Sequence, residues 1–214
     1  MGVNTKGKND RPMTNQGRGI PGLWLFTGLA AVLLALTPRE ETLGHYLKLV
    51  YVHATTAWVG LAAFTVAGLA GLWYLVLGHE KWYRWCLAAR RTALVFWIIA
   101  VLSELVAMRL MWGAFLWEPR LPMTLQVLLL AVAIHLITGA LDGRRLIAAL
   151  NLGLAALLWF LLATTRQVMH PNNPIGRSGS LTIKLSFLAV LLSLLAAAFC
   201  LARDHYLYGG DGCR

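Results

Sequence analysis

The stretch LVYVHATTAWVGLAAFTVAGLAGLWYLVL, residues 49–77, contains no Asp, Glu, Lys or Arg. About 20 apolar residues in a helix cross a hydrocarbon core of ~30 Å, so this run is long enough to span a bilayer. Inside lipid every backbone N–H and C=O needs a partner, and a helix supplies all of them within one segment. Working outward, five further apolar runs occur at about 20–36, 92–111, 122–141, 146–164 and 181–202. The chain is 58% hydrophobic and 13% charged, against roughly 25% charged in a soluble domain. The expected fold class is an all-α membrane protein, a six-transmembrane-helix bundle. Residues 1–19 read as a flexible basic tail, 20–203 as one transmembrane domain and 204–214 as a short tail. The first run is short and follows basic residues, as a signal peptide would, with Ala35-Leu36-Thr37 as a weak cleavage site. Pro38 and the acidic pair Glu40-Glu41 make a poor start for a mature chain, so a retained helix is expected.

A net charge of +10 raises the question of nucleic acid. The basic residues are scattered among short loops, which reports topology instead, and no nucleic-acid partner is expected. Twelve of the nineteen Lys and Arg fall in the N-terminal tail, 78–91, 142–145 and 203–214. That bias puts both termini in the cytoplasm of a multi-pass protein of the cell inner (plasma) membrane. The loops 37–48, 112–121 and 165–180 then face outward. Cys86, Cys200 and Cys213 fall at or near the cytoplasmic side and read as ordinary thiols. No Cys-x-x-Cys-His is present, so that route to covalent haem is closed.

The outward loop Trp112-Gly113-Ala114-Phe115-Leu116-Trp117-Glu118-Pro119-Arg120-Leu121 is unusual for its rings. Such rings suit a membrane–water interface, and they equally suit a flat apolar ligand. Two histidines share its side of the membrane. His53 begins the second run, and His170 lies just beyond the fifth, in Thr164-Thr165-Arg166-Gln167-Val168-Met169-His170-Pro171. Of the others, His79 and His205 lie among cytoplasmic charges, His45 in the first outer loop, and His135 is expected deep in the fourth helix. A lone histidine at a helix end is commonly a hydrogen-bonded structural residue. The pair, with an aromatic platform between, points to a shared ligand. A catalytic zinc wants a third nitrogen or carboxylate nearby, and no His-Glu-x-x-His occurs. Haem iron needs two axial ligands on opposite faces of a flat ring, with aromatic walls. Lys48, Arg120 and Arg166 lie in the right layer to meet its propionates.

Tyr51-x-His53 followed by Ala57-Trp58, and Trp112-Gly113 through Trp117-Glu118-Pro119-Arg120-Leu121, resemble the haem-handling membrane proteins of cytochrome c maturation. The second motif matches their tryptophan-rich, WWD-type signature. The resemblance runs in order over about 45–180 and is nearest to the short, six-helix members. It implies haem b, held non-covalently and transiently at the outer face, with His53 and His170 as axial ligands of the iron. It further implies a haem site of Trp58, Trp112, Phe115, Trp117, Glu118, Arg120 and Lys48. The implied partners are a periplasmic haem chaperone and separate ATP-binding cassette (ABC) transporter subunits, with membrane lipid around them. Bond-making is not implied, so the chain is expected to be no enzyme. Several positions depart from the family pattern. Glu118 stands for the usual Asp and Lys48 for the usual Arg, and Phe115-Leu116 replace a common tryptophan pair. The loop is one residue shorter, the second histidine lacks a Trp-Trp lead-in, and Pro171 follows it.

Two other readings compete: a cytochrome b-like electron-transfer subunit, for which only His135 lies deep, and a small-solute permease. Glu104, inside the third helix, is expected to face the bundle interior. Gly60, Gly68 and Gly71 are expected to allow close helix approach.

Overall fold

The computed structural model describes residues 20–38, 44–115, 119–138, 143–165 and 174–209. Among them the secondary structure is helical: α1 Ile20–Ala35, α2 Leu47–Leu77, α3 Glu80–Trp112, α4 Arg120–Thr138, α5 Arg144–Thr164, the short α6 Pro174–Arg177 and α7 Leu181–Tyr208. Five of these (α2, α3, α4, α5 and α7) are long and apolar enough to cross a membrane. With 16 residues, α1 reaches ~24 Å at 1.5 Å per residue, short of a ~30 Å core. It is apolar along its length and packs against α7.

The largest departure from expectation lies at residues 80–91. Their charges suggest a loop, yet they form the first third of α3. Only Gly78 and His79 separate α2 from α3. Gly78, at φ 69°, ends α2 and sends its N–H to the Tyr74 carbonyl at 2.8 Å. From there Tyr83, Cys86, Arg90, Ala93, Trp97, Ala100, Glu104 and Met108 are buried at intervals of three and four. That is a helix period running straight through the charges. The C-terminal end of the bundle behaves likewise: α7 continues to Tyr208, so the expected tail from 204 begins as helix.

Interhelical bonds fix the directions. Tyr51 Oη donates to the Ile183 carbonyl at 2.6 Å, and Arg84 Nη2 donates to the Tyr206 carbonyl at 2.5 Å, so α7 runs parallel to α2. Trp97 Nε1 reaches the Thr124 carbonyl at 3.0 Å and Arg90 Nη1 reaches Thr138 Oγ1 at 2.5 Å, which sets α4 antiparallel to α3. Lys48 Nζ donates to the Ala35 carbonyl at 2.8 Å, joining the end of α1 to the start of α2. Seen together, one end of the bundle carries the starts of α2, α4 and α7 and the ends of α1, α3 and α5. The opposite end carries the α2–α3 turn. Among the described residues, Lys81, Arg84, Arg90, Arg91, Arg144, Arg145 and Arg203 lie toward the turn end, against Lys48, Arg109, Arg120, Arg177 and Lys184 toward the other.

Small residues let α2 sit at the centre. A Cβ on Gly68 would lie 2.5 Å from Ala155 Cβ, and one on Gly71 would lie 2.7 Å from the Ala148 carbonyl oxygen, both on α5. The core around them includes Phe64, Trp97, Val127 and Leu158. Glu104 is buried, as expected, and accepts a hydrogen bond from Thr124 Oγ1 at 3.0 Å across the α3–α4 seam. Gly71→Val should cost about 1–3 kcal/mol, the usual penalty of overpacking. Gly28→Ala, where nothing lies within 4 Å of the added carbon, should leave stability unchanged or slightly raised. Thermal unfolding in detergent measures both.

Candidate functional site

His53 stands in the second turn of α2, half-buried against α3. Its Nδ1 lies 3.1 Å from the Ala100 carbonyl oxygen. A carbonyl can only accept, so Nδ1 is the donor in this contact, and in the tautomer protonated there alone the lone pair lies on Nε2. A backbone carbonyl on one ring nitrogen is how metal-binding histidines are commonly held in tautomer and orientation. The same carbonyl accepts from Ser103 Oγ at 2.9 Å. The register of α2 against α3 therefore determines which nitrogen of His53 is available.

Other expected site residues lie at the same end but not beside His53: Trp112 stands twelve residues past Ala100 on α3, ~18 Å along the helix. Trp112 closes α3 and Phe115 follows three residues later, 45% and 66% exposed, so both rings are presented outward. Gly113 makes that exit possible. At φ 70° it adopts the left-handed conformation, returns its N–H to the Arg109 carbonyl at 3.1 Å, and offers its own carbonyl to Arg109 Nη1. Arg120 opens α4, half-buried. Lys48 is engaged with the Ala35 carbonyl, where a cation complements the negative end of the α1 dipole.

Trp58 is not brought to His53. Five residues on, it lies about 140° round the helix and ~7.5 Å along it, and its ring is 55% exposed on the bundle surface. Trp117, Glu118, Arg166 and His170 lie outside the described residues. Their described neighbours are at the site end: Phe115 and Arg120 on one side, Thr165 and Ile175 on the other. Thr165 Oγ1 donates to Met123 Sδ at 3.7 Å near the start of α4, and Ile175 packs in a cluster with Leu47, Tyr51 and Ile183.

One expectation is corrected. His135 is not deep in α4; it lies in the last turn of that helix and is exposed. Helix α4 is described as far as Thr138, where Arg90 reaches its last turn. Among the described residues no three of His, Cys, Asp or Glu converge as a metal cluster would require. The hydrogen bond from His53 to Ala100 is the feature that sequence reasoning missed, because a carbonyl partner carries no residue signature.

No protein-family model matches the chain. Over 180 residues it is 26% identical to the protein named Heme exporter protein C of Bradyrhizobium diazoefficiens, a match covering 78% of this chain. The likeness supports a haem exporter C-like family. The match spans 66% of that relative's own length, just under two thirds. Together with the five apolar helices it supports a multi-pass protein of the inner membrane.

Gly113 ends α3 between the exposed rings of Trp112 and Phe115. Gly113→Val should cost about 1–2 kcal/mol, the left-handed penalty for a residue bearing Cβ. Gly113→Asn should cost less, because its short amide tolerates that conformation. Comparing unfolding midpoints of the two variants in one detergent tests the pair.

Proposed function

We propose that this chain binds haem at the outer face of the inner membrane and hands it to a haem chaperone during c-type cytochrome biogenesis. The observation that carries the reading is the His53–Ala100 bond, which leaves Nε2 as the ligating nitrogen at the end that also presents Trp112 and Phe115. The similarity to Heme exporter protein C supports the same cargo.

Haem is cargo in this reading, and it offers an iron with two axial positions on a flat apolar ring bearing carboxylates. His53 Nε2 takes one position and His170 the other. Trp112, Phe115 and Trp117 wall the ring and limit water. Arg120 pairs with a propionate through its guanidinium fork, while Lys48 does so only by giving up the Ala35 carbonyl. Glu118 and Trp58 are assigned peripheral parts, at the polar rim and in the bilayer. Without a Cys-x-x-Cys-His the haem stays haem b, released by exchange of its axial ligands. The chain forms no bond itself; the chaperone and separate ABC transporter subunits act around it. The outer-face assignment rests on the basic residues collected at the opposite, turn end of the bundle.

Purified protein reconstituted with haem should give a low-spin, bis-histidine spectrum. The spectrum should be lost in His53→Ala and in His170→Ala, and retained in His79→Ala and His135→Ala. Retention of the native spectrum by His53→Ala would overturn the assignment. For orientation, a fluorescent protein fused after Arg214 should fluoresce in the cytoplasm, and alkaline phosphatase at the same point should be inactive. The opposite pattern would move the site to the inner face.

A further inference from the structure

At the end of the bundle away from His53, an apolar groove runs between the last turns of α2 and the first turns of α3. Val66, Leu69, Ala70 and Trp73 form one wall, and Trp82 and Trp85 the other, around a space of about 210 Å³. Trp73 and Trp82 stack with centroids 6.2 Å apart, and Trp85 stacks on Tyr206 of α7 at 4.7 Å. The groove is thus held by three helices.

Two observations beside the groove point to one kind of occupant. The indole nitrogen of Trp82 is buried, and among the described residues it finds no acceptor; a buried donor in that state costs about 1–3 kcal/mol unless something outside the chain satisfies it. Lys81 is exposed, its Nζ 5.2 Å from the centre of the Trp82 ring. Arg84 lies over the Tyr206 ring at 4.5 Å and donates to the Tyr206 carbonyl, so it braces the Trp85 wall from α7. The nearby acid Glu80 is held by Arg144 at 2.7 Å, which offsets its repulsion of an anion. The space accepts a length of hydrocarbon chain. A helix, about 10–12 Å across with its side chains, would lie over the groove instead of in it.

We propose that this groove binds one anionic phospholipid of the surrounding leaflet. Its acyl chain lies along Val66, Leu69 and Trp73, and its phosphate or ester oxygens accept from Trp82 Nε1 beside Lys81. The site is separate from the haem reading and stands or falls without it. It ties the α2–α3 turn and α7 to the membrane surface at the basic end of the bundle.

The test is native mass spectrometry of the full chain in mild detergent, with phosphatidylglycerol or phosphatidylcholine of matched chains. One phosphatidylglycerol should be retained and phosphatidylcholine lost. Lys81→Gln should weaken retention about fivefold, the scale of one basic residue at an anionic surface. Trp82→Phe, which keeps a ring and deletes the donor, should weaken it by a similar factor. Lys184→Gln, at the other end, should change nothing. Equal retention of the two lipids, or Lys81 and Trp82 variants indistinguishable from the native chain, would sink the proposal. Should a variant fold poorly, brominated phosphatidylglycerol must still quench the native tryptophan fluorescence more than brominated phosphatidylcholine. Equal quenching, or a co-purifying polypeptide cross-linked at Trp82 in place of lipid, counts against it.

Discussion

The close approach of α2 to its neighbours is the constraint on which the rest depends. Gly68 and Gly71 let its backbone meet α5, and Gly60 gives Trp97 of α3 a place to lie, with Trp97 Cε3 only 3.0 Å from where a Cβ would sit. In a bilayer, helices gain little from hiding apolar surface from one another, since lipid tails are equally apolar. Close van der Waals contact between small residues supplies the attraction in its place. Once α2 lies this near α3 and α5, its register is set along its whole length. That register brings His53 to the Ala100 carbonyl and Tyr51 to the Ile183 carbonyl.

Polar groups inside the bundle then act as clamps on that arrangement. Thr124 bonds the Glu104 carboxylate through its hydroxyl and the Trp97 indole through its carbonyl. Arg90, 1% exposed, reaches the last turn of α4 at Thr138. Tyr51, fully buried, closes on α7 at both Ile183 and Ser186. Individually such interhelical bonds contribute about 0.6–2 kcal/mol in membranes. Their larger effect is on uniqueness, since sliding one helix past another would leave several polar groups without partners in hydrocarbon. Both ends of the molecule inherit precision from this. One end orients a histidine; the other holds three indoles around a groove.

The two ends also divide the chemistry. The site end carries exposed rings at Trp112 and Phe115, a half-buried imidazole and five of the twelve cations among the described residues. The turn end carries the other seven, three of them lying against aromatic faces. The proposed haem and lipid sites fall at these two ends. The bilayer potential and the headgroup charge act on the two ends differently.

The sequence alone determined the class of the molecule. Uninterrupted apolar runs force helices because lipid offers the backbone no partners. Glycines 60, 68 and 71 were legible as contact points, and Glu104 as an inward carboxylate. Only the tertiary structure decided that residues 80–91 are helix, because charges at the end of a long helix look like a loop until buried Tyr83, Cys86 and Arg90 reveal the period. It likewise moved His135 to an exposed helix end and separated Trp58 from His53. Above all it decided which nitrogen of His53 is available. That depends on a backbone carbonyl forty-seven residues away, and backbone partners are chosen by helix register, which no single residue encodes.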